Sequence, residues 1–328
     1  MEQTLLKDIP AEADQPIAHL LRISDMNLKE TKSGKHYIAF TAGDKSRDLN
    51  FCKKWDSSPE ELERLKKHQI LFVTGKTDVW NDNLSIVAET LAVPEDDLPA
   101  DTFQNLMKST TYNLSFLKKE VWKFIQNMED PFIKKLCVAF IKDPYVKERL
   151  GTWPAAKGVH HAYRSGLITH IYRLMVHADE FVDTLNKFRY PEATVKVNKD
   201  MVLAGCLLHD LYKISEYNED VSYAKSGQLI DHLLEGAIEA NRKMDQIPDF
   251  PEHLRKAITH MLHAHHGEWS PIKPKSLEAI TLHHIDYLFS RLDPCFESLE
   301  DREGEWGKEK LKALGNGYAW IGAAPVEE

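Results

Sequence analysis

Most of the 16 histidines in this chain of 328 residues lie from residue 160 onward, and several fall where a helix would aim them together. "HHAYRSGLITH" carries His160, His161 and His170; "AGCLLHDLYK" sets His209 beside Asp210 straight after the apolar stretch Ala204 to Leu208, with Lys213 three residues on. "GQLIDH" gives His232, "HMLHAHHGE" gives His260, His263, His265 and His266, and "LHHID" gives His283, His284 and Asp286. Neutral imidazoles and carboxylates supply the lone pairs a divalent cation needs, and Asp210 can bridge two cations while His209 binds one. Such sites activate water and stabilise phosphoryl oxygens. A His-Asp pair alone reads equally well as a local cap at a helix end. The ordered set shifts the balance, because Asp286 sits inside the otherwise apolar "LHHIDYLF", where an unpaired carboxylate is costly to bury. His19, His36, His68, His177 and His253 stand apart from these clusters and read as ordinary hydrogen-bonded or surface residues.

The elements that would position these groups change character near residue 100. Between Ile17 and Val93 short β-rich runs alternate with turn signals such as "KSGK", "GDKS" and "WNDN", and helix is indicated only at 59–68, where "PEELERLKKH" has a proline start and an acidic first turn. Five short strands with one helix before a late strand is the rhythm of a Greek-key barrel of the OB-fold type. Beyond a proline- and acid-rich connection, "NLSFLKKEVWKFIQNM" and "PFIKKLCVAFI" carry helical periodicity, and further helices are predicted at about 166–186, 199–213, 228–245, 251–265 and 275–292. The fold class expected is two-domain α+β: an OB-fold-like β-barrel over 1–95, a linker over 96–112, an all-helical domain over 113–295 and a C-terminal tail over 296–328. Ser165-Gly166 and Ser226-Gly227 read as helix starts capped by serine.

Composition narrows the classes further. With 51 acidic against 42 basic residues the net charge is −9, so any nucleic-acid contact must be a local patch. The four cysteines are scattered without a Cys-x-x-Cys pair, which fits reduced thiols in the cytoplasm. The N-terminus has no basic-then-apolar signal pattern, and no apolar run reaches the roughly 18 residues a membrane span needs. No membrane partner is expected.

With these motifs in view, the helical half resembles the HD superfamily of metal-dependent phosphohydrolases, whose ordered His, His-Asp and late Asp are matched by His170, His209-Asp210 and Asp286. The order of "HHAYRSGLITH", "GCLLHDLYK", "GQLIDH", "HMLHAHHGE" and "SPIKPKSLEAITLHHID" behind an OB-like module is similar to the YhaM-type 3′→5′ exoribonuclease family, over about residues 15 to 292. The resemblance implies that His170, His209, Asp210 and Asp286 hold one metal, that His232 and the pair His265-His266 hold or border a second, and that Lys213 reaches a phosphate. It puts Asp210 and Lys213 in catalytic roles and His160, His161 and Tyr163 on the substrate side. One or two divalent ions are implied, with Mn2+ the family's usual metal.

Some positions depart from the family's pattern. Tyr212 replaces the glycine of His-Asp-Leu-Gly-Lys, Gln228 and Asp231 stand around His232, and the chain passes quickly from Glu268 to Trp269-Ser270-Pro271. On the barrel, Tyr37 and Trp80 are the expected stacking platforms, with Trp80 in a loop, and Lys35, Lys53 and Lys76 the expected phosphate contacts. Phe40 and Phe51 are expected inside. The partner implied is single-stranded RNA or DNA, and a homo-oligomer is compatible with the sequence. Two other functions fit the same residues: hydrolysis of a small nucleotide or cyclic oligonucleotide, and nucleic-acid binding without turnover.

Overall fold

The computed structural model describes residues 4–80, 83–94, 98–99, 102–156, 163–188, 192–219, 222–300, 302 and 304–322. The chain divides into two compact units, Met1–Ser109 and Thr110–Glu328. In the first, β1 (Pro16–Glu30), β2 (His36–Gly43), β3 (Asp48–Trp55), β4 (Ile70–Trp80) and β5 (Asn83–Ala92) close into a barrel in the order β1-β2-β3-β5-β4. Only β3 and β5 run parallel. α1 (Pro59–Leu65) sits between β3 and β4, as the OB-type reading requires, and its start is written locally. The Ser58 side chain accepts the Glu61 N–H at 3.2 Å while Pro59 occupies the first turn, where its missing N–H has no intrahelical partner to lose. Alternate residues of the strands, among them Ile17, Leu21, Ile38, Phe40, Val73 and Ile86, fill the interior. A short α2 (Thr102–Leu106) ends this unit.

The second unit is built from α3 (Leu114–Asn127), α4 (Pro131–Lys142), α5 (Pro144–Arg149), α6 (Gly166–Lys187), α7 (Lys199–Leu208), α8 (Lys213–Glu216), α9 (His232–Asp245), α10 (Glu252–Ala264) and α11 (Leu277–Glu300), followed by β6 (Trp306–Leu311) and β7 (Gly317–Trp320). Asn113, Asp130, Asp143, Asn198 and Asp231 accept first-turn N–H groups and so fix where five of these helices begin. α7 is buried on every side from Met201 to Leu208, and it packs against α4, α6, α10 and α11. A helix apolar all round belongs at the centre. Gly205 lets α10 and α11 close on it: a Cβ there would lie 2.8 Å from Met261 Sδ and 2.9 Å from Leu282 Cδ2.

Four local expectations change. The helix expected over 199–213 stops at Leu208, where His209 takes over the end of α7 with its ring, and a four-residue helix resumes at Lys213. The helix expected from 228 begins at His232, because Asp231 accepts the Leu234 N–H at 2.9 Å. Ser165 precedes α6 but does not cap it; its φ of 65° turns the hydroxyl to the Gly151 carbonyl, 2.7 Å away. α11 runs through Pro294 to Glu300, and the stretch read as a tail carries the antiparallel pair β6-β7, with Gly315 and Asn316 both at φ 65° in the turn. Among the described residues no helix is long and apolar enough to cross a membrane.

Filling the Gly205 contact should be felt throughout the helical unit. Gly205→Val is expected to destabilise it by about 1–3 kcal/mol, the usual range for overpacking a core, read as a shift in its denaturant midpoint.

Candidate metal centre

Five helices deliver the clustered side chains. His170 comes from the second turn of α6, His209 and Asp210 from the end of α7, His232 from the first position of α9, His265 and His266 from the end of α10, and Asp286 from the middle of α11. His170, His209, Asp210, His232 and His265 are all buried.

The two oxygens of Asp210 face different partners. Oδ2 lies 3.5 Å from both His170 Nε2 and His209 Nε2 and accepts a hydrogen bond from Lys213 Nζ at 2.7 Å. Oδ1 lies 3.3 Å from His232 Nε2 and 3.6 Å from His265 Nε2. Asp286 Oδ1 joins the first set, 3.3 Å from His170 Nε2 and 3.8 Å from His209 Nε2. Ligand atoms of Asp210, His232, His265 and His266 lie within 4.8 Å of one another, as do those of His170, His209 and Asp210.

Hydrogen bonds on the far side of the rings set their tautomers. His209 Nδ1 faces the Gly205 and Cys206 carbonyls at 3.2 and 3.1 Å, and His265 Nδ1 faces the Leu262 carbonyl at 2.8 Å. Carbonyls only accept, so each Nδ1 carries the proton and, in the neutral ring, each Nε2 turns a lone pair toward the cluster. The same bonds satisfy the Cys206 and Leu262 carbonyls near the ends of α7 and α10, while Gly205 also accepts the His209 N–H. His232 is held by Glu216, whose Oε2 accepts from both its Nδ1 and its backbone N–H, the latter at 2.9 Å.

Electrostatics keep His209, His266, Asp210 and Asp286 in the forms a cation needs. Burial pushes the His209 imidazole down to about 4, against the pull of Asp210 and Asp286. Burial and then the neighbouring His265 push His266 down to about 3. Burial would raise the Asp210 carboxyl, but the Lys213 charge and the surrounding imidazoles outweigh it and hold it well below the ordinary carboxylate range. Asp286 is likewise held low against burial by His170 and His209. For His232 burial is outweighed by the Asp210 and Glu216 carboxylates facing its two nitrogens, and the net shift is upward.

These residues fit a metal. Asp210 Oδ1, His232 Nε2 and His265 Nε2 are buried without a hydrogen-bond partner, and they converge. Each such orphan carries a desolvation penalty of about 1–3 kcal/mol, which a shared cation removes. His170 Nε2 and His209 Nε2 approach to 3.2 Å, a separation at which two ring nitrogens need a proton or a cation between them. The donor set of imidazoles and carboxylates suits Mn, Fe, Co, Ni or Zn.

Of the other residues singled out from the sequence, His160 and His161 lie outside the described residues, and Tyr163 is half-buried. Glu216 escaped the sequence reading; its only signal was an acidic residue six positions after Asp210 on the same short segment. On the barrel Phe40 is interior as expected, whereas Phe51 is 63% exposed, because its φ of 63° breaks the strand alternation and turns the ring outward. Tyr37 lies 4.9 Å from Trp55, centroid to centroid, and Lys53 Nζ sits 5.9 Å over the Trp55 ring. Lys35 is exposed in the turn before β2, and Lys76 on β4 faces Asp14 at 3.7 Å. Trp80 is the last residue of β4 rather than part of a loop, and its side chain is outside the described residues.

A helical unit with histidines and aspartates from five helices around a shared carboxylate defines an HD domain, and the family model described as HD domain matches residues 167–290. Over longer spans the chain is similar to proteins named 3′-5′ exoribonuclease YhaM: 30% identical to that of Oceanobacillus iheyensis, over 90% of each chain. It is 27% identical to that of Listeria monocytogenes, over 96% of this chain and 97% of the relative, and 25% identical to that of a Geobacillus species, over 93% and 91%. The chain belongs to the YhaM family of 3′-5′ exoribonucleases.

Replacing Glu216 tests how His232 is held. Glu216→Ala is expected to weaken divalent-cation binding by about 10- to 100-fold, as loss of a ligand's orienting partner usually does, measured by calorimetric titration with Mn2+. Glu216→Gln, which can still accept from Nδ1, is expected to retain most of it.

Proposed function

We propose that this protein is a metal-dependent phosphodiesterase that removes nucleoside 5′-monophosphates one at a time from the 3′ end of single-stranded RNA. The observation that carries the reading is the Asp210 carboxylate with a separate set of imidazoles on each of its oxygens. Family membership supports RNA as substrate. His170, His209, Asp210 and Asp286 would hold one cation, and Asp210, His232, His265 and His266 a second. Two divalent ions in such a site supply a nucleophile from water at neutral pH and neutralise phosphoryl charge; we assign Mn2+.

The remaining chemistry falls to the chain's own groups. Lys213, 2.7 Å from Asp210, is a point charge that can move from the carboxylate to a phosphate oxygen. Glu216 holds His232 in the tautomer whose lone pair faces the site. Water adds to the terminal phosphorus in line, the bond from phosphorus to the 3′ oxygen breaks, and that oxygen takes a proton to become the new 3′ hydroxyl. Displacement by water is direct, without a covalent intermediate. On the barrel, Phe51, Trp55 and Tyr37 offer ring faces to bases and Lys53 a charge to the backbone, a combination that binds single strands with strong salt dependence.

The test is hydrolysis of a 5′-labelled single-stranded RNA with and without Mn2+. A metal-dependent ladder shortening from the 3′ end, lost in Asp210→Ala, is expected; intact RNA under every metal, or activity surviving in Asp210→Ala, would overturn the reading. For the barrel, Phe51→Ala with Trp55→Ala should raise KM for a long RNA about tenfold or more, at the magnitude usual for loss of base stacking. The kcat is expected to change far less, because chemistry stays in the helical unit.

A further inference from the structure

An exposed pair of aromatic rings borders the metal cluster and belongs to none of the roles above. Trp269 is 72% exposed, and its ring lies 6.3 Å from that of Tyr287 at an interplanar angle of 25°. Arg291 braces Tyr287 twice, with its guanidinium 4.9 Å from the ring centroid and Nη2 donating to the hydroxyl at 2.8 Å.

The pair is built into the segments that carry the cluster. Trp269 closes a tight turn whose N–H bonds the His266 carbonyl at 3.3 Å, and Tyr287 follows Asp286 on α11. His283 ties the two segments together, donating from Nδ1 to the His265 carbonyl at 2.7 Å while its ring lies 6.0 Å from Tyr287. Gly267 makes room for that ring: at its φ of 62° a Cβ would fall 2.2 Å from His283 Cε1. Trp269 and Tyr287 are thus held by the same backbone that aims His265, His266 and Asp286.

We propose that Trp269, with Tyr287 and Arg291 behind it, is a stacking subsite for a nucleobase near the 3′ end of the substrate. A flat, solvent-facing indole backed by a second ring and a guanidinium accepts any base by its π-face, which a nuclease acting on every sequence requires. Continuity with the candidate metal centre makes a nucleotide next to the cleaved bond the occupant. This subsite rests on the RNA exonuclease reading.

The experiment compares wild type, Trp269→Ala, Trp269→Leu and Trp269→Phe on a short single-stranded RNA with Mn2+, and on a series of the same RNA carrying one abasic residue at each of the last four positions. Trp269→Ala and Trp269→Leu are expected to raise KM about tenfold and Trp269→Phe about twofold, the scale of losing or trimming one base stack. At one abasic position wild type should show the same rise and Trp269→Leu should add nothing to it. An unchanged KM in Trp269→Leu, or an equal rise on every abasic substrate, overturns the subsite. A changed molecular mass in light scattering with KM unchanged would instead give this surface to a second copy of the chain. Wild type that leaves RNA intact under every metal overturns the exonuclease reading, and the subsite with it.

Discussion

A carboxylate buried among imidazoles organises the helical unit. Taking the Asp210 charge out of water is expensive, and the fold offsets that expense on both oxygens at once, with His170, His209 and Lys213 on one and His232 and His265 on the other. Neither set suffices alone, since three of the converging atoms are still without hydrogen-bond partners. The arrangement is electrostatically incomplete without a cation. A core of this kind is stable only if its walls are rigid, and the all-apolar α7 supplies that rigidity immediately before the His-Asp pair.

The two units present their side chains in different ways, each set by its physics. A closed barrel has no free sheet edge and can afford outward-facing rings on its strands, as at Phe51 and Trp55. Helix ends, by contrast, present side chains and open carbonyls to one point, which is why four of the clustered histidines stand at the ends of α7, α9 and α10. His209 and His265 turn that geometry to use twice over, closing their own helices with Nδ1 and facing the site with Nε2.

Much of this was legible in the sequence because it was written locally. The barrel followed from turn residues and period-two runs, and the cluster from His-Asp after an apolar helix, paired histidines and a carboxylate inside "LHHIDYLF". What escaped depends on long-range or conformational facts. Glu216 matters through a residue 16 positions away, which no spacing rule announces. Phe51 was assigned to the interior because many aromatics of a small barrel simply fill its core, and its left-handed backbone reversed that. Ser165 has the residue type of a cap, but its φ takes the hydroxyl elsewhere. The end of α11 and the β6-β7 pair were hidden by acidic, glycine-containing text that reads as solvated chain.

The supports on the two sides of Asp210 differ in how they open. His170 and Asp286 lie within long helices and His209 closes the fully buried α7, so these groups are released only by the rare openings that expose the core. His232 heads α9, and His266 lies just beyond α10. Fraying of a first or last turn is enough to withdraw them. The two halves therefore differ in the openings that expose their side chains: the His170 side follows the packed core, while His232 and His266 follow the ends of α9 and α10.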